Sequence, residues 1–191
     1  LTSCFFKWIA GNTIWLGAQP GIWRIDQAKN SATFYNPDII KNRTVRQIAE
    51  DTYGNLWIGT QSLGLFKWTA EKGKIKFEDS VSQFKDIPAS MIIKITIDKK
   101  GYVWVATSAW GVYVIDPATD KVVLHFGTKE PEERKLLWDG VNSVIQYDHT
   151  TMIIGASSLS VYNTALQKIT KTIPLPDIVA GSIMSLERDR Q

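Results

Sequence analysis

The chain has 191 residues, 44% of them hydrophobic, with 22 Lys and Arg against 19 Asp and Glu, a net charge of +3. That is enough apolar material for a sizeable core, while the densest basic group, Lys41, Asn42, Arg43 and Arg46, is too thin for the stripe a nucleic-acid binder needs. A lone cysteine, Cys4, excludes an internal disulfide and cysteine-rich zinc sites, and no apolar run approaches the length of a membrane span.

In chain order, the first unit (residues 3–36) places Cys4 in a first strand as a small apolar residue. Trp15-Leu16-Gly17-Ala18, Gly21-Ile22-Trp23 and Ala32-Thr33-Phe34-Tyr35 follow it. The second unit (44–79) runs from Val45-Arg46-Gln47-Ile48 to Asp51, and turns through Tyr53-Gly54-Asn55. It continues with Trp57-Ile58-Gly59-Thr60, Gly64-Leu65-Phe66 and Lys74-Ile75-Lys76-Phe77. The third (91–127) repeats this order with Ile92-Ile93-Lys94-Ile95, Asp98, Trp104-Val105-Ala106-Thr107, Gly111-Val112-Tyr113 and a run from Val122 to Phe126. The fourth (141–174) has Val141-Asn142-Ser143-Val144, Ile153-Ile154-Gly155-Ala156, Ser160-Val161-Tyr162 and a run from Lys168 to Ile173. It lacks the Trp and carries Tyr147 where the acid stands elsewhere. A fifth start, Ile183-Met184-Ser185-Leu186, lies in 181–191.

Each unit reads as four short strands rich in Val, Ile, Thr and aromatics, reversed at Gly, Asn, Asp and Pro. The second-strand motif recurs at 15, 57, 104 and 153, spacings of 42, 47 and 49 residues. Explicit repeats of that length predict an all-β β-propeller of four-stranded antiparallel blades. A β-sandwich rarely repeats its own sequence, and short-period solenoids need shorter units. Residues 129–139 are expected to form a helical turn or two inside a connecting loop.

The aligned pattern is apolar-x-x-apolar-x-x-Asp-x-x-Gly-x-apolar-Trp-apolar-Gly-Thr, then Gly-apolar-aromatic. Its fullest copy is Val45, Ile48, Asp51, Gly54, Leu56, Trp57, Ile58, Gly59, Thr60, Gly64, Leu65 and Phe66. This resembles the two-component regulator propeller repeat, over nearly the whole chain from Phe5 onward. The resemblance implies a periplasmic sensor region of a hybrid two-component histidine kinase, acting as a homodimer and reaching the membrane only through segments beyond these residues. It also implies about four blades and a strand of a larger, seven-bladed propeller.

Tryptophans 15, 57 and 104 hold equivalent positions and are expected to pack between blades, and Trp23 and Trp68, on the third strand or its end, are expected to pack as well. Trp110 and Trp138 stand apart, one between the second and third strands and one in the longest inter-blade connection. Aromatics there can stack on the apolar face of a sugar while Asp139 accepts its hydroxyls. The bland alternative is that Trp110 caps the blade as Leu63 does. Gln19, Gln61, Ser108 and Arg46 are expected on the same face, giving a candidate surface for a glycan or oligosaccharide, or a wet protein–protein rim. Asp51 and Asp98 are read as turn formers on the opposite face. His125 and His149 have no metal-ligand spacing, and the polar positions of the first strands, Gln47, Lys94, Ser143 and Ser185, include no acid or His. A ligand-sensing segment without catalysis or cofactor is therefore the leading expectation. A docking scaffold, or less readily a propeller lyase or glycosidase, remains as an alternative.

Overall fold

The computed structural model describes residues 6–10, 12–69, 80–175 and 182–187, with side chains from residue 12 onward. The expected positions of Cys4 and of the run Lys74–Phe77 lie outside the described residues. The chain divides into two compact units, Leu1–Ile92 and Ile93–Gln191.

The first unit contains two sheets. Strands β1 (Phe6–Ala10), β2 (Thr13–Gly17), β3 (Ile22–Asp26) and β4 (Ser31–Tyr35) pair in sequence order, all antiparallel. A 3-10 turn at Asp38–Ile40 leads to β5 (Val45–Glu50), β6 (Leu56–Thr60), β7 (Leu65–Trp68) and β8 (Val81–Gln83), again paired in order. The strand that pairs with β7 is thus Val81–Gln83.

Between these sheets the aromatic and branched residues interlock. Trp15 meets Trp68 edge-on at 5.3 Å, and Ile22, Val45, Ile48, Ile58 and Phe66 fill the layer around them. Gly17 makes the approach possible, because a Cβ there would fall on the carbonyl oxygen of Val45. The strand entering the second sheet is tied down by Val45 N–H donating to the Ala18 carbonyl at 3.0 Å. Trp23 departs from the packing role expected of it. It is 37% exposed and rests on Phe34 at 5.0 Å, on the opposite face of its sheet from Trp15.

In the second unit, β9 (Ile92–Ile97, starting at the boundary), β10 (Val103–Thr107), β11 (Val112–Asp116) and β12 (Lys121–Phe126) form one sheet. A second consists of β13 (Ser143–Gln146), β14 (Thr151–Gly155), β15 (Ser158–Asn163) and β16 (Lys168–Pro174). Trp104 stacks on Phe126 at 5.5 Å and 29° and lies tilted against Tyr162 at 6.0 Å, with Val112, Leu136, Val141, Val144, Met152 and Ile154 closing the core. Val141 N–H donates to Thr107 as Val45 does to Ala18, at 3.0 Å, and Ile183 N–H to Ala156 at 2.8 Å. Residues 182–187 therefore take the place of an entering first strand beside β14, although no strand pairing forms there. Residues 129–139 form turns and a parallel bridge, Gly127 to Lys135, and no helix. Pro131 interrupts any helical run, and Leu136 is drawn into the core instead.

The acids after the first strands are turn formers that reach further than a turn. Asp51 Oδ1 accepts the Tyr53 and Asn55 N–H groups at 2.9 and 3.0 Å, and its Oδ2 accepts the buried Trp57 indole N–H at 2.9 Å. Asp98 does the same for Lys100, Tyr102 and Trp104, at 2.9, 3.0 and 2.9 Å. A buried indole N–H without an acceptor costs about 1–3 kcal/mol, so each carboxylate fixes both a hairpin and a core tryptophan. Charged side chains lie over two of the indoles across the strand pair, Arg24 at 5.9 Å from Trp15 and Lys67 at 5.2 Å from Trp57. Val114 takes that position opposite Trp104.

Candidate functional site

Antiparallel order places the β10–β11 turn and the β12–β13 connection at one end of the second unit. The turn is shaped by Thr107, whose hydroxyl donates to the Gly111 carbonyl at 3.0 Å and accepts the Trp110 N–H at 2.8 Å. Gly111 has φ +72, and a Cβ there would fall on the Phe126 carbonyl oxygen. A residue with left-handed backbone and no side chain is required at that point.

The long connection is held to this turn by Gly111 N–H donating to the Asp139 carbonyl at 2.7 Å. The Asp139 carboxylate fixes the connection internally, accepting Thr128 N–H and Thr128 Oγ1–H, each at 2.7 Å. Trp110 and Trp138 thus stand on two backbone segments bonded side by side, 49% and 58% exposed. Trp110 does not cap the blade as Leu63 does, since Leu63 packs against its core and Trp110 turns outward. Ser108 lies in the same turn, its carbonyl oxygen against Gly140.

Beneath Trp110 sits a group that the sequence did not announce. His125 Nε2 is 2.8 Å from the Trp110 carbonyl, and its Nδ1 is 3.0 Å from Glu130 Oε1. The ring stacks on Tyr113 at 4.2 Å, and Arg134 approaches the other oxygen of Glu130 at 3.6 Å. Burial raises the Tyr113 phenol above its ordinary value, and the nearby carboxylates of Asp139 and Glu130 push it further. No spacing rule links these residues, because the connection between them has no regular period.

In the first unit, Arg46 Nη1 donates to Gln61 Oε1 at 2.6 Å, bringing two of the expected surface residues together. Gln61 is anchored by its N–H on the Thr44 carbonyl at 2.9 Å. Gln19 is exposed in the β2–β3 turn. Of the expected residues, Arg46 bonds Gln61 in the first unit, which also holds Gln19, while Ser108, Trp110, Trp138 and Asp139 lie in the second.

At the opposite end of the second unit a cleft of about 350 Å³ runs past Tyr102, Val114, Leu124, Tyr162 and Thr164. Its inner wall is nearly closed, with Trp104 and Tyr162 each 1% exposed, and the Asp98 carboxylate on its rim is spent on its own hairpin. Among the described residues, no three His, Cys, Asp or Glu side chains converge as metal ligands.

Residues 39–62 match the family model of the two component regulator propeller. No curated protein matches the chain. Among solved structures it is similar to a protein assigned as the extracellular domain of a hybrid two component system, BT4673, from B. thetaiotaomicron. That match has 16% identity and a TM-score of 0.67, and covers 93% of this chain and 23% of the other. A second such domain from the same organism, BT3049, matches at 16% identity and a TM-score of 0.54, over 91% of this chain and 28% of that one. The Neurospora crassa Pan2 WD40 domain matches at 8% identity and a TM-score of 0.60, over 90% and 52%. The fold is that of β-propeller blades, and the chain spans about a quarter of the length of the BT4673 domain, at 23%.

Proposed function

We propose that these blades belong to the extracytoplasmic sensor of a hybrid two-component histidine kinase, and that the Trp110–Trp138 surface binds an oligosaccharide. One observation carries the binding surface. Two tryptophans, about half exposed, are fixed on adjacent loops by the Gly111–Asp139 bond, while Trp57 and Trp104 are buried in the cores. Large rigid aromatics lose little entropy on contact and present an apolar face that suits sugar C–H groups. The 39–62 family match and the likeness to two extracellular sensor domains support the setting. In that setting a ligand would bias one arrangement of paired subunits, since a propeller blade itself deforms little.

A second reading is a docking scaffold without a small ligand. The exposed Trp23–Phe34 pair favours it, because contiguous exposed aromatics mark protein contacts.

The test is calorimetric titration of the whole sensor region with oligosaccharides from plant and host polysaccharides, compared with its Trp110→Ala and Trp138→Ala variants. Saturable binding lost in both variants supports the sugar site. Binding that both variants retain, or none from any glycan by a folded protein, moves the reading to a protein partner.

A further inference from the structure

We infer that Trp110, His125 and Glu130 form a proton-operated clasp on the proposed binding face. The cationic imidazole ties the two tryptophan-bearing loops together, and loss of its proton lets the Trp110 turn go. The inference concerns regulation of the surface proposed above and rests on that reading for its role.

The argument is one of donors and acceptors. His125 Nε2 faces a backbone carbonyl, that of Trp110 at 2.8 Å, and Nδ1 faces a carboxylate, that of Glu130 at 3.0 Å. Neither partner has a hydrogen to give. A neutral imidazole has one N–H and can donate to one of them, whereas the cation donates to both. The two partners belong to different segments, Trp110 to the β10–β11 turn and Glu130 to the β12–β13 connection. His125 itself is on β12, a paired strand between them.

The charged groups around the ring decide which tie survives. From the connection, Glu130 bonds Nδ1 and Arg134 holds the second oxygen of Glu130 at 3.6 Å. From β11, Tyr113 stacks on the ring, with its phenol in the field of Asp139 and Glu130. A hydrogen bond to a carboxylate is stronger than one to a neutral carbonyl, so a single remaining proton stays on Nδ1. The bare Nε2 lone pair then faces the Trp110 carbonyl oxygen, and that contact turns repulsive. The proton leaves to solvent, and no other reactant is needed. The Gly111–Asp139 bond remains, so the movement is a local reorientation of the Trp110 peptide and its indole.

The chain has two histidines, which makes the test clean. The imidazole, indole and amide resonances of the isotopically labelled protein are followed by NMR from about pH 5 to 8, the range in which imidazoles change charge. The expected result is that the Trp110 indole and Gly111 amide move with the midpoint of His125 and not with that of His149. In His125→Gln that movement disappears. In Glu130→Gln, which preserves shape and whose amide can donate to Nδ1 so that the neutral ring keeps its proton on Nε2 toward Trp110, the Trp110 movement shrinks. Trp110 resonances that stay flat through the His125 midpoint, or that titrate unchanged in His125→Gln, overturn the clasp. The wild-type titration decides this even if a variant folds poorly. No ligand enters the measurement, so absence of sugar binding leaves the clasp standing, and failure of the clasp leaves the sugar site standing.

Discussion

Gly111 and Asp139 are joined backbone to backbone at 2.7 Å, and the residue before each of them is an exposed tryptophan. The spacing of the two indoles is therefore set by main-chain geometry rather than by their own packing. Substituting Gly111 strikes at that geometry, since its φ of +72 and its approach to the Phe126 carbonyl leave no room for a side chain. Gly111→Ala should destabilise the protein by about 3 kcal/mol, combining left-handed strain with the displacement of neighbouring backbone. A urea melt read by tryptophan fluorescence checks this. A midpoint equal to that of the wild type would show that the turn can rearrange freely.

Trp110→Ala and Trp138→Ala should behave in the opposite way. Each removes a side chain that is about half exposed, 49% and 58%, so unfolding free energy should change by less than about 1 kcal/mol. Affinity for the proposed oligosaccharide should fall by about 2 kcal/mol, or roughly 30-fold, as for other aromatic anchors. Calorimetry beside thermal melts separates the two effects. A large loss of stability would return Trp110 to a core role.

Asp98→Ala should cost about 2–4 kcal/mol, because it orphans the buried Trp104 N–H together with the hairpin amides of Lys100 and Tyr102. In a Trp104→Phe background, where no indole needs an acceptor, the same substitution should cost less. A double-mutant cycle in denaturant measures that coupling, and strict additivity would deny the indole bond. Sugar binding should survive in folded Asp98→Ala, since the acid lies at the other end of its sheet.

Asp148 supplies a pH test. Its carboxyl is held below its ordinary value, first by the Thr150 backbone N–H and further by the Thr151 and Thr150 hydroxyls and the Thr151 backbone. A depressed folded value means a contribution present above the unfolded value and lost as pH falls through the folded one. Asp148→Asn should therefore melt below the wild type near neutrality, with the gap closing as pH drops from about 5 toward 2. A gap constant with pH would assign the loss to shape rather than charge.

The blades were legible because their determinants are local. Asp51, Gly54, Trp57 and Thr60 sit within one hairpin and its following turn, so spacing alone reveals them. Residues 129–139 suggest a helical turn in sequence but form none, because there the determinant is distant. Leu136 is captured by a core assembled from two sheets, and Asp139 is spent on Thr128. The exposure of Trp110 is open in the sequence for a similar reason. Leu63 and Trp110 occupy the same repeat position, and only the neighbouring chain settles which of them turns inward. His125 shows in sequence only that it lacks metal-ligand spacing, because its two acceptors lie 15 residues before it and five residues after.

The bond from acid to indole spans six residues in both sheets that have it, and it never leaves its own repeat. Where the fourth sheet puts Tyr147 in place of the acid, it also puts Ile153 in place of the tryptophan, so neither donor nor acceptor is stranded. Duplicating or deleting such a repeat carries the polar pair along intact. In the second and third sheets the buried donor and its acceptor are thus copied or lost together, whereas the first sheet, with Ile9 six residues before Trp15, does not carry the pair.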